Sequence, residues 1–389
     1  MNILFVSDFH NPFAHLTGGA QRSNLLLRAC CGKAKVDVIA FRKMESDIEG
    51  CEVVFSDDIV TESVLASRRN ELKSILRPWD LQSFFVLDKR KEKIIDDFVS
   101  KKHYDYIVVR YLSEAYNTGL MKYACRLVVD IDDHPHDQIM NMCDGLHSRM
   151  KKMYLRTIAS FSKLAVKRMC NKLHTAFFTN PLQLHGRHGV FLPNVPFEEV
   201  QSEYVDFSAT TPQVLFIGTL DYKPNYMGVD RFLDNVWPKV LEQVPEAKLH
   251  IVGVYGDQNT VRPFFEKWSG VESVSVLGYL KNLDEEYNQC RLSVSPMYSG
   301  AGTSIKLLEA LQRKRVCVTT RFGFRGAESF FEAGNDVPVA DNDDAFAELV
   351  VKALTDSSFN RQVAENAYEK VGKTFSHGKF FEIVEAALS

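Results

Sequence analysis

One segment of the chain, residues 296–311, combines a glycine-rich turn with a run of good helix formers, and apolar runs flank it on both sides. The runs 292–294 and 316–319 have the apolar character of buried strands. The order strand, glycine-rich turn, helix, strand is typical of a parallel sheet covered by helices. Because the first backbone N–H groups of a helix lack intrahelical partners, this turn is also suited to bind an anion such as a diphosphate.

Two charged residues of this segment, Lys306 and Glu309, are three positions apart and therefore share one helix face. Lys306 offers a cation, and the carboxylate of Glu309 can accept two hydrogen bonds from hydroxyl groups. A ligand that carries both a phosphate and a diol, such as a nucleotide sugar, would satisfy both side chains. The alternative is an ordinary strand–loop–helix connection in which both side chains are solvated.

The same alternation of strands and helices occurs in both halves of the 389-residue chain, a length typical of two or three domains. In the first half, the apolar runs predict strands at 3–6, 36–41, 53–55, 104–110, 126–131, 175–179 and 189–192 and helices at 20–31, 59–76 and 89–99. In the second half they predict strands at 214–217, 248–252, 273–277, 292–294 and 316–319 and helices at 226–243, 258–268, 283–290 and 303–313.

A polar, proline-marked segment separates the two halves. We therefore predict an α/β protein with two Rossmann-like domains that face each other across a cleft. The first domain spans 1–195, the linker 196–212 and the second domain 213–375, and a C-terminal helix at 376–389 packs back onto the first domain.

Composition excludes several classes of protein. The net charge of −3 gives no general attraction to nucleic acid. The eight cysteines form no C-x-x-C pair, which indicates a reducing compartment and no structural metal. The N-terminus lacks the basic region of a signal peptide, and no run approaches the ~20 apolar residues of a membrane span. We expect a cytoplasmic protein, at most peripheral on the inner face of the membrane.

Several motifs in order resemble the GT-B glycosyltransferases of the retaining group 1 family, also called GT4. The resemblance spans most of the chain and is strongest from 213 to 375. It rests on Phe216–Asn225, Trp237-Pro238, Pro245–Gly253, Gly300–Ala310 and Gly323–Gly326.

The resemblance implies a metal-independent enzyme without cofactor that moves a hexose from a nucleotide diphosphate sugar to a glycan or lipid-linked saccharide. Glu309 would bind the ribose hydroxyls, Lys306 the diphosphate, and His134 the donor sugar. The other donor-binding candidates are Gly18, Gly19, Gly218, Lys223, Gly300, Ala301, Gly302, Thr303 and Arg325. Lys223 is equally well explained as a solvated loop residue, and Arg325 as an ion-pair partner of Glu328.

The chain departs from the family pattern at two positions. Ala301 occupies the slot of the first of two glutamates, as is common in the branch with G-A-G-T-x-x-K-x-x-E, and Thr219 follows Gly218 where an arginine is frequent. The missing glutamate motivates an alternative function, a non-catalytic GT-B subunit that binds nucleotide or glycan. Another GT-B reaction, such as epimerisation or phosphorolysis, is a weaker alternative. A dehydrogenase is disfavoured because no G-x-G-x-x-G follows the first strand.

Acidic and imidazole groups crowd together after the strand 126–131. Besides the donor-sugar contact proposed for His134, Asp132 or Asp133 could cap the helix that starts near Pro135. A metal site formed by Asp132, His134 and His136 is a further alternative.

A basic amphipathic helix follows, within a stretch between Asp144 and Glu198 that contains no acidic residue. Its cations, between residues 149 and 172, could lie on an anionic membrane surface. The alternative is an apolar stripe that faces the core, formed by Met150, Met153, Tyr154, Ile158, Phe161, Leu164 and Ala165.

Overall fold

The computed structural model describes residues 1–389 except 14–17, 46–47, 60–84, 133, 145–147, 197, 201, 254–257 and 301–302. The predicted helix 59–76, beyond its first residue, lies outside the described residues, as do Asp133, Ala301 and Gly302. The chain divides into two compact units, one formed by Met1–Pro193 with Phe380–Ser389 and the other by Asn194–Lys379. The last helix therefore begins in the second unit and ends in the first.

The described part of the first unit contains a sheet of seven parallel strands in the order β3-β2-β1-β4-β5-β6-β7. The strands are β1 Asn2–Ser7, β2 Lys35–Ala40, β3 Cys51–Ser56, β4 Tyr106–Arg110, β5 Leu127–Asp132, β6 Thr175–Phe178 and β7 Gly189–Phe191. The helices are α1 Gly18–Lys33, α2 Lys89–Lys101, α3 Leu112–Asn117, α4 Pro135–Asp144 and α5 Arg149–Cys170, with short 3-10 helices at Leu120–Arg126 and Pro181–Gln183.

The described part of the second unit repeats this architecture with six parallel strands in the order β10-β9-β8-β11-β12-β13. The strands are β8 Gln213–Ile217, β9 Lys248–Val252, β10 Val274–Gly278, β11 Leu292–Ser295, β12 Val316–Thr320 and β13 Val339–Ala340. After a 3-10 helix at Phe207–Ala209, the helices are α6 Lys223–Asn235, α7 Trp237–Gln243, α8 Gln258–Trp268, α9 Asp284–Gln289, α10 Ile305–Gln312, α11 Asp343–Thr355, α12 Ser357–Thr374 and α13 His377–Ala387.

The strands are apolar along most of their length because helices cover both faces of each sheet. In the first unit Leu4, Ile107 and Val129 are fully buried, and in the second unit Phe216 and Leu249 are. The prediction of an α/β protein with two Rossmann-like units is confirmed.

The prediction of one helix at 226–243 is wrong, because α6 ends at Asn235 and α7 begins at Trp237. Pro238 lies in the first turn of α7, where backbone N–H groups have no intrahelical partner, so its missing N–H has no cost. In one continuous helix, the residue at this position would have to donate an N–H to the carbonyl four residues earlier, which proline cannot do. Strand β13 was not predicted, since two residues are too short for an apolar pattern.

A buried charge cluster joins three elements of the first unit. The guanidinium of Arg22, on α1, donates to both oxygens of Asp130 at 2.8 and 2.7 Å, and Arg110 donates to Asp130 at 3.0 Å. The side chains of all three residues are at most 4% exposed. Burial raises the pKa of Asp130, but the two guanidinium groups outweigh it and hold the pKa below its ordinary value. Arg110 also donates to the carbonyl of Gly19, which fixes the start of α1 beside β4.

We expect Asp130→Asn to lower the free energy of unfolding by about 3–5 kcal/mol, because it leaves two buried guanidinium groups with too little negative charge. Urea unfolding followed by circular dichroism measures the change. The matched control is Asp96→Asn, which removes an exposed partner of Lys122 and should cost less than about 1 kcal/mol. Equal effects of the two substitutions would contradict this role of Asp130.

Candidate functional site

The carboxyl ends of the parallel strands form one edge of the second sheet. The strand order reverses between β8 and β11, so the loops that follow these two strands diverge and leave a crevice. The loop after β8 begins at Gly218, and the loop after β11 begins at Pro296. The described part of the glycine-rich turn singled out from the sequence, residues 296–300, therefore lies at the switch point of this sheet.

Glycines allow the loops at this edge to approach each other closely. The N–H of Gly218 donates to the carbonyl of Val252 at 2.9 Å, and a Cβ atom at Gly253 would lie 1.9 Å from the carbonyl oxygen of Gly218. A Cβ atom at Gly218 itself would lie 2.8 Å from Nδ2 of Asn225. Gly218 is thus required for packing within the site rather than for a left-handed backbone.

Lys306 lies beneath the loop that follows β8. Its Nζ donates to Oδ1 of Asn225 at 2.6 Å, and Asn225 in turn donates to the carbonyl of Thr219 at 2.9 Å. Burial lowers the pKa of Lys306 to about 8. No carboxylate among the described residues forms an ion pair with Lys306. Its half-buried ammonium group instead contacts the amide of Asn225, the thioether of Met297 and the ring of Phe216.

The N-terminus of α10 has no side-chain cap. Ser304 occupies the N-cap position, but its hydroxyl lies 3.2 Å from the hydroxyl of Ser295 and accepts no backbone N–H of the helix. Just before the helix, Thr303 is in close contact with Gly326, where an added Cβ would lie 2.5 Å from the Thr303 hydroxyl oxygen. The positive end of the helix therefore adds to the charge of Lys306 on the same helix.

Two other predicted cations flank this helix. The guanidinium of Arg325 donates to the carbonyl of Gly300 at 3.2 Å and lies over the ring of Phe322, and within the described ranges it forms no ion pair with Glu328. Gly300 has a φ of 121°, a conformation that favours glycine. Lys223 is exposed at the first position of α6, without an ion pair among the described residues.

Glu309 is held by an arginine that the sequence analysis did not single out. Its Oε1 lies 3.3 Å from Nη1 of Arg313, whose side chain is 2% exposed and also approaches Asp284 at 3.4 Å and Glu198 at 3.8 Å. Burial raises the pKa of Glu309, and Arg313 counteracts part of that rise. The spacing of four residues on a helix was the signal that could have identified Arg313.

Gly18 and Gly19, in the first unit, form the first turn of α1. A Cβ atom at Gly19 would lie 2.3 Å from Nε2 of His10, so only glycine fits against this ring. Together with the hydrogen bond from Arg110 to the Gly19 carbonyl, this contact fixes the start of α1 at the carboxyl end of the first sheet.

His134 is 2% exposed and caps α4, because its Nδ1 accepts the backbone N–H of His136 at 3.0 Å. Of the two residues predicted as possible caps of this helix, Asp132 pairs with Arg110 instead, and Asp133 lies outside the described residues. Burial, followed by the nearby His185, lowers the pKa of His134 to about 3, so the ring is neutral and carries its proton on Nε2. This Nε2 is buried without a hydrogen-bond partner in the described part of the chain. No group of three or more metal-binding side chains occurs among the described residues.

The alternative of a core-facing stripe on α5 is wrong for most of its members. Only Ile158 and Ala165 are buried, whereas Met150 is 79% and Met153 68% exposed, and the remaining exposed members are Tyr154, Phe161 and Leu164. A groove of about 380 Å³ on the same helix is lined by Arg149, Lys152, Met153, Arg156, Thr157 and Ser160. In the described ranges, no helix is long and apolar enough to cross a bilayer.

Residues 211–356 match the protein family described as "Glycosyl transferases group 1". An uncharacterized 44.6 kDa protein in the cps region of Klebsiella pneumoniae is 21% identical over 359 residues, which cover 90% of both chains. Poly(glycerol-phosphate) alpha-glucosyltransferase of Bacillus subtilis (strain 168) is 26% identical over 145 residues, which cover 37% of this chain and 21% of that protein.

Three solved structures illustrate the similarity of fold. Anabaena Alr3699/HepE in complex with UDP-glucose has a TM-score of 0.64 at 13% identity, covering 100% of this chain and 99% of its own. WaaG, a glycosyltransferase involved in lipopolysaccharide biosynthesis, has a TM-score of 0.63 at 15% identity, with coverages of 100% and 98%. TarM has a TM-score of 0.58 at 13% identity and covers 77% of this chain, which spans only 58% of the TarM chain. Residues 211–356 are therefore a group 1 glycosyltransferase domain, in a chain that has the GT-B fold.

Proposed function

We propose that the protein is a retaining, metal-independent glycosyltransferase that moves a hexose from a nucleotide diphosphate sugar to a glycan or lipid-linked saccharide. The observation that carries this proposal is the pairing of Lys306, a half-buried cation with no carboxylate partner in the described ranges, with the uncapped N-terminus of α10. Both features favour a bound anion with more than one negative charge. The diphosphate of a nucleotide sugar fits this requirement.

Similar proteins support the substrate classes. HepE was solved with UDP and glucose and with UDP-glucose, and the name of the Bacillus enzyme specifies glucosyl transfer. WaaG acts in lipopolysaccharide biosynthesis, and the Klebsiella relative is encoded in a cps region. These similarities support our proposal that the reaction belongs to the assembly of a surface polysaccharide or lipopolysaccharide.

The charged residues of the second unit have separate roles in this proposal. Lys306 and the N-terminus of α10 stabilise the charge that develops on the departing diphosphate, which is the role a metal has in other transferases. Glu309 accepts hydrogen bonds from the ribose hydroxyls, and Arg313 orients its carboxylate. Arg325 supports the Gly300 backbone, and Lys223 supplies a further cation at the start of α6.

Retention of configuration follows if attack and departure occur on the same face of the sugar. The bond from the anomeric carbon to the phosphate oxygen breaks, and the bond to the acceptor oxygen forms. The departing phosphate oxygen takes the acceptor proton, so no protein base is required. The protein contributes position and charge stabilisation. The Nε2–H of the neutral His134 is the donor that we propose for the sugar.

A second candidate is a non-catalytic subunit that binds the nucleotide. It is favoured by Ala301, which replaces the first glutamate of the family motif. Turnover of a nucleotide sugar by the isolated chain would exclude it.

We further propose that α5 lies on an anionic membrane surface, where a lipid-linked acceptor would be found. Its exposed apolar side chains would enter the interface, while cations such as Arg149, Lys152 and Arg156 would contact lipid headgroups. The absence of acidic residues from this segment removes any repulsion from anionic lipids.

We expect one nucleotide class among UDP, GDP, ADP and their sugars to raise the melting temperature, with and without EDTA, because a ligand of the folded state stabilises it. Glu309→Gln should weaken that nucleotide by about ten- to a hundredfold, since hydrogen bonds to a charged group are lost. Glu348→Gln, an exposed carboxylate of the same unit, is the control. An unchanged affinity in Glu309→Gln would refute the ribose assignment, and a shift abolished by EDTA would refute metal independence.

The affinity for the nucleoside diphosphate should fall as the pH rises through about 8, because Lys306 loses its proton there. At pH 9 about nine-tenths of these ammonium groups are deprotonated, so binding should be about tenfold weaker than at pH 7. Isothermal titration calorimetry measures this profile. Lys306→Arg should flatten it, since a guanidinium stays charged throughout this range; a flat profile in the unmodified protein would contradict the role of Lys306.

Liposome flotation tests the membrane proposal. The protein should float with vesicles that contain anionic lipid and remain in the dense fraction with purely zwitterionic ones. Met153→Asp should abolish flotation, whereas Leu182→Asp should not, although Leu182 and Met153 are both 68% exposed in the same unit. If both variants float like the unmodified protein, α5 is not the docking surface.

A further inference from the structure

A buried amide, that of Asn225, joins the loop after β8 to helix α10 in the second unit. Asn225 is the third residue of α6 and is only 7% exposed. Its side chain makes both of its hydrogen bonds outside this helix, one to Thr219 in the loop after β8 and one to Lys306 on α10. An asparagine that neither caps its own helix nor bonds to it contributes nothing to helix stability. The amide therefore serves the two groups that it joins.

These two partners fix the direction in which the amide faces. The carbonyl of Thr219 can only accept a hydrogen bond, and the ammonium group of Lys306 can only donate one. Nδ2 of Asn225 therefore faces the carbonyl, at 2.9 Å, and Oδ1 faces the ammonium group, at 2.6 Å. The position of Nζ of Lys306 is thereby coupled to the position of the backbone in the loop after β8.

Close backbone contacts hold Asn225 in place on α6. A Cβ atom at Gly218 would lie 2.8 Å from Nδ2 of Asn225, so the backbone of the loop after β8 lies directly against the amide. One turn further along α6, a Cβ atom at Gly228 would lie 2.1 Å from the carbonyl oxygen of Pro296, where the loop after β11 begins. Both loops of the switch point thus fix the helix that carries Asn225.

An amide holds an ammonium group without cancelling its charge. Aspartate has nearly the same shape as asparagine, but at this position it would form an ion pair with Lys306 and compete with an anionic ligand. The thiol of Cys317, on β12, also acts on Lys306, but burial raises the pKa of this thiol to about 12, so it is neutral. Lys306 has no carboxylate partner in the part of the chain that the structure describes, so its positive charge is uncompensated at pH 7.

We propose that Asn225 is a positioning residue of the transfer reaction, whose amide holds Lys306 in place for the diphosphate and leaves the charge of Lys306 available to it. This inference rests on the nucleotide-sugar donor proposed above and adds a residue to the donor site. Because asparagine and aspartate differ here in charge and hardly in size, the substitution Asn225→Asp tests the proposal directly.

NMR of the full chain, labelled with ¹³C at the lysine Cε atoms, measures the ionisation of Lys306 without any ligand. The loss of one signal in Lys306→Arg identifies that of Lys306. Its titration midpoint should lie at about pH 8 in the unmodified protein. In Asn225→Asp the new carboxylate favours the charged form of the lysine, so the midpoint should rise by about one to three pH units. Circular dichroism over the same pH range establishes that the variant is folded.

Isothermal titration calorimetry with UDP, GDP and ADP measures the consequence for binding. At pH 7, Asn225→Asp should bind the accepted nucleotide about ten- to a hundredfold more weakly, because Lys306 is already paired. Its affinity should change by about twofold or less between pH 7 and pH 9, whereas that of the unmodified protein falls about tenfold. Asn225→Ala removes the amide without adding a charge and should weaken binding only about three- to tenfold.

The matched control is Asn235→Asp, which adds the same charge at the exposed last residue of α6 and should alter neither the midpoint nor the affinity. An unshifted midpoint in Asn225→Asp, or equal losses of affinity in Asn225→Asp and Asn225→Ala, would overturn the role of Asn225 while nucleotide binding by the unmodified protein still supports the donor. If the unmodified protein binds none of the three nucleotides, the proposed donor is refuted, and the role of Asn225 fails with it even where the midpoint shifts.

Discussion

The fully buried carboxylate of Asp130 is the interaction on which the first unit depends. It joins Arg22 of α1 to Arg110 of β4, and the free energy of burying three charges is acceptable only because each guanidinium hydrogen bond is formed. Arg22 also donates to the carbonyls of Leu192 and Pro193, at the end of the first of this unit's two segments. The cluster thereby fixes the glycine-rich start of α1, the end of β4 and the last residues before the second unit.

The half-buried cation of the second unit, Lys306, has surroundings that differ from those of Asp130. Among the residues that the structure describes, it contacts an amide, a thioether and an aromatic ring but no carboxylate. Burial without a counter-ion lowers its pKa, so the unliganded protein holds a cation at a cost in free energy. A bound anion would recover that cost, which is why an unneutralised cation at a helix N-terminus favours ligand binding more than an exposed lysine does. Glu309, by contrast, is already paired with Arg313, so its carboxylate is positioned before any ligand arrives.

Local sequence patterns identified most elements because buried parallel strands are continuous apolar runs. The run 3–6 became β1 Asn2–Ser7, and the helix predicted at 303–313 became α10 Ile305–Gln312. The pattern failed at 226–243, where the apolar periodicity continues across Pro238 although the helix does not. It also failed on α5. The spacing indicates that Met150 and Met153 share a face with Ile158, but it does not indicate whether another element of the fold covers that face.

The sequence by itself determined the class of fold, the glycine-rich turns and the charged pair Lys306 and Glu309, because each depends on residues within one or two helical turns of each other. Only the tertiary structure decided which groups those residues meet. Asp8 and Lys91 are 83 positions apart, Lys306 and Asn225 are 81 apart, and Arg22 and Asp130 are 108 apart. These pairs form because parallel strands bring their carboxyl ends to one edge of a sheet, and no local pattern records which side chains will meet there.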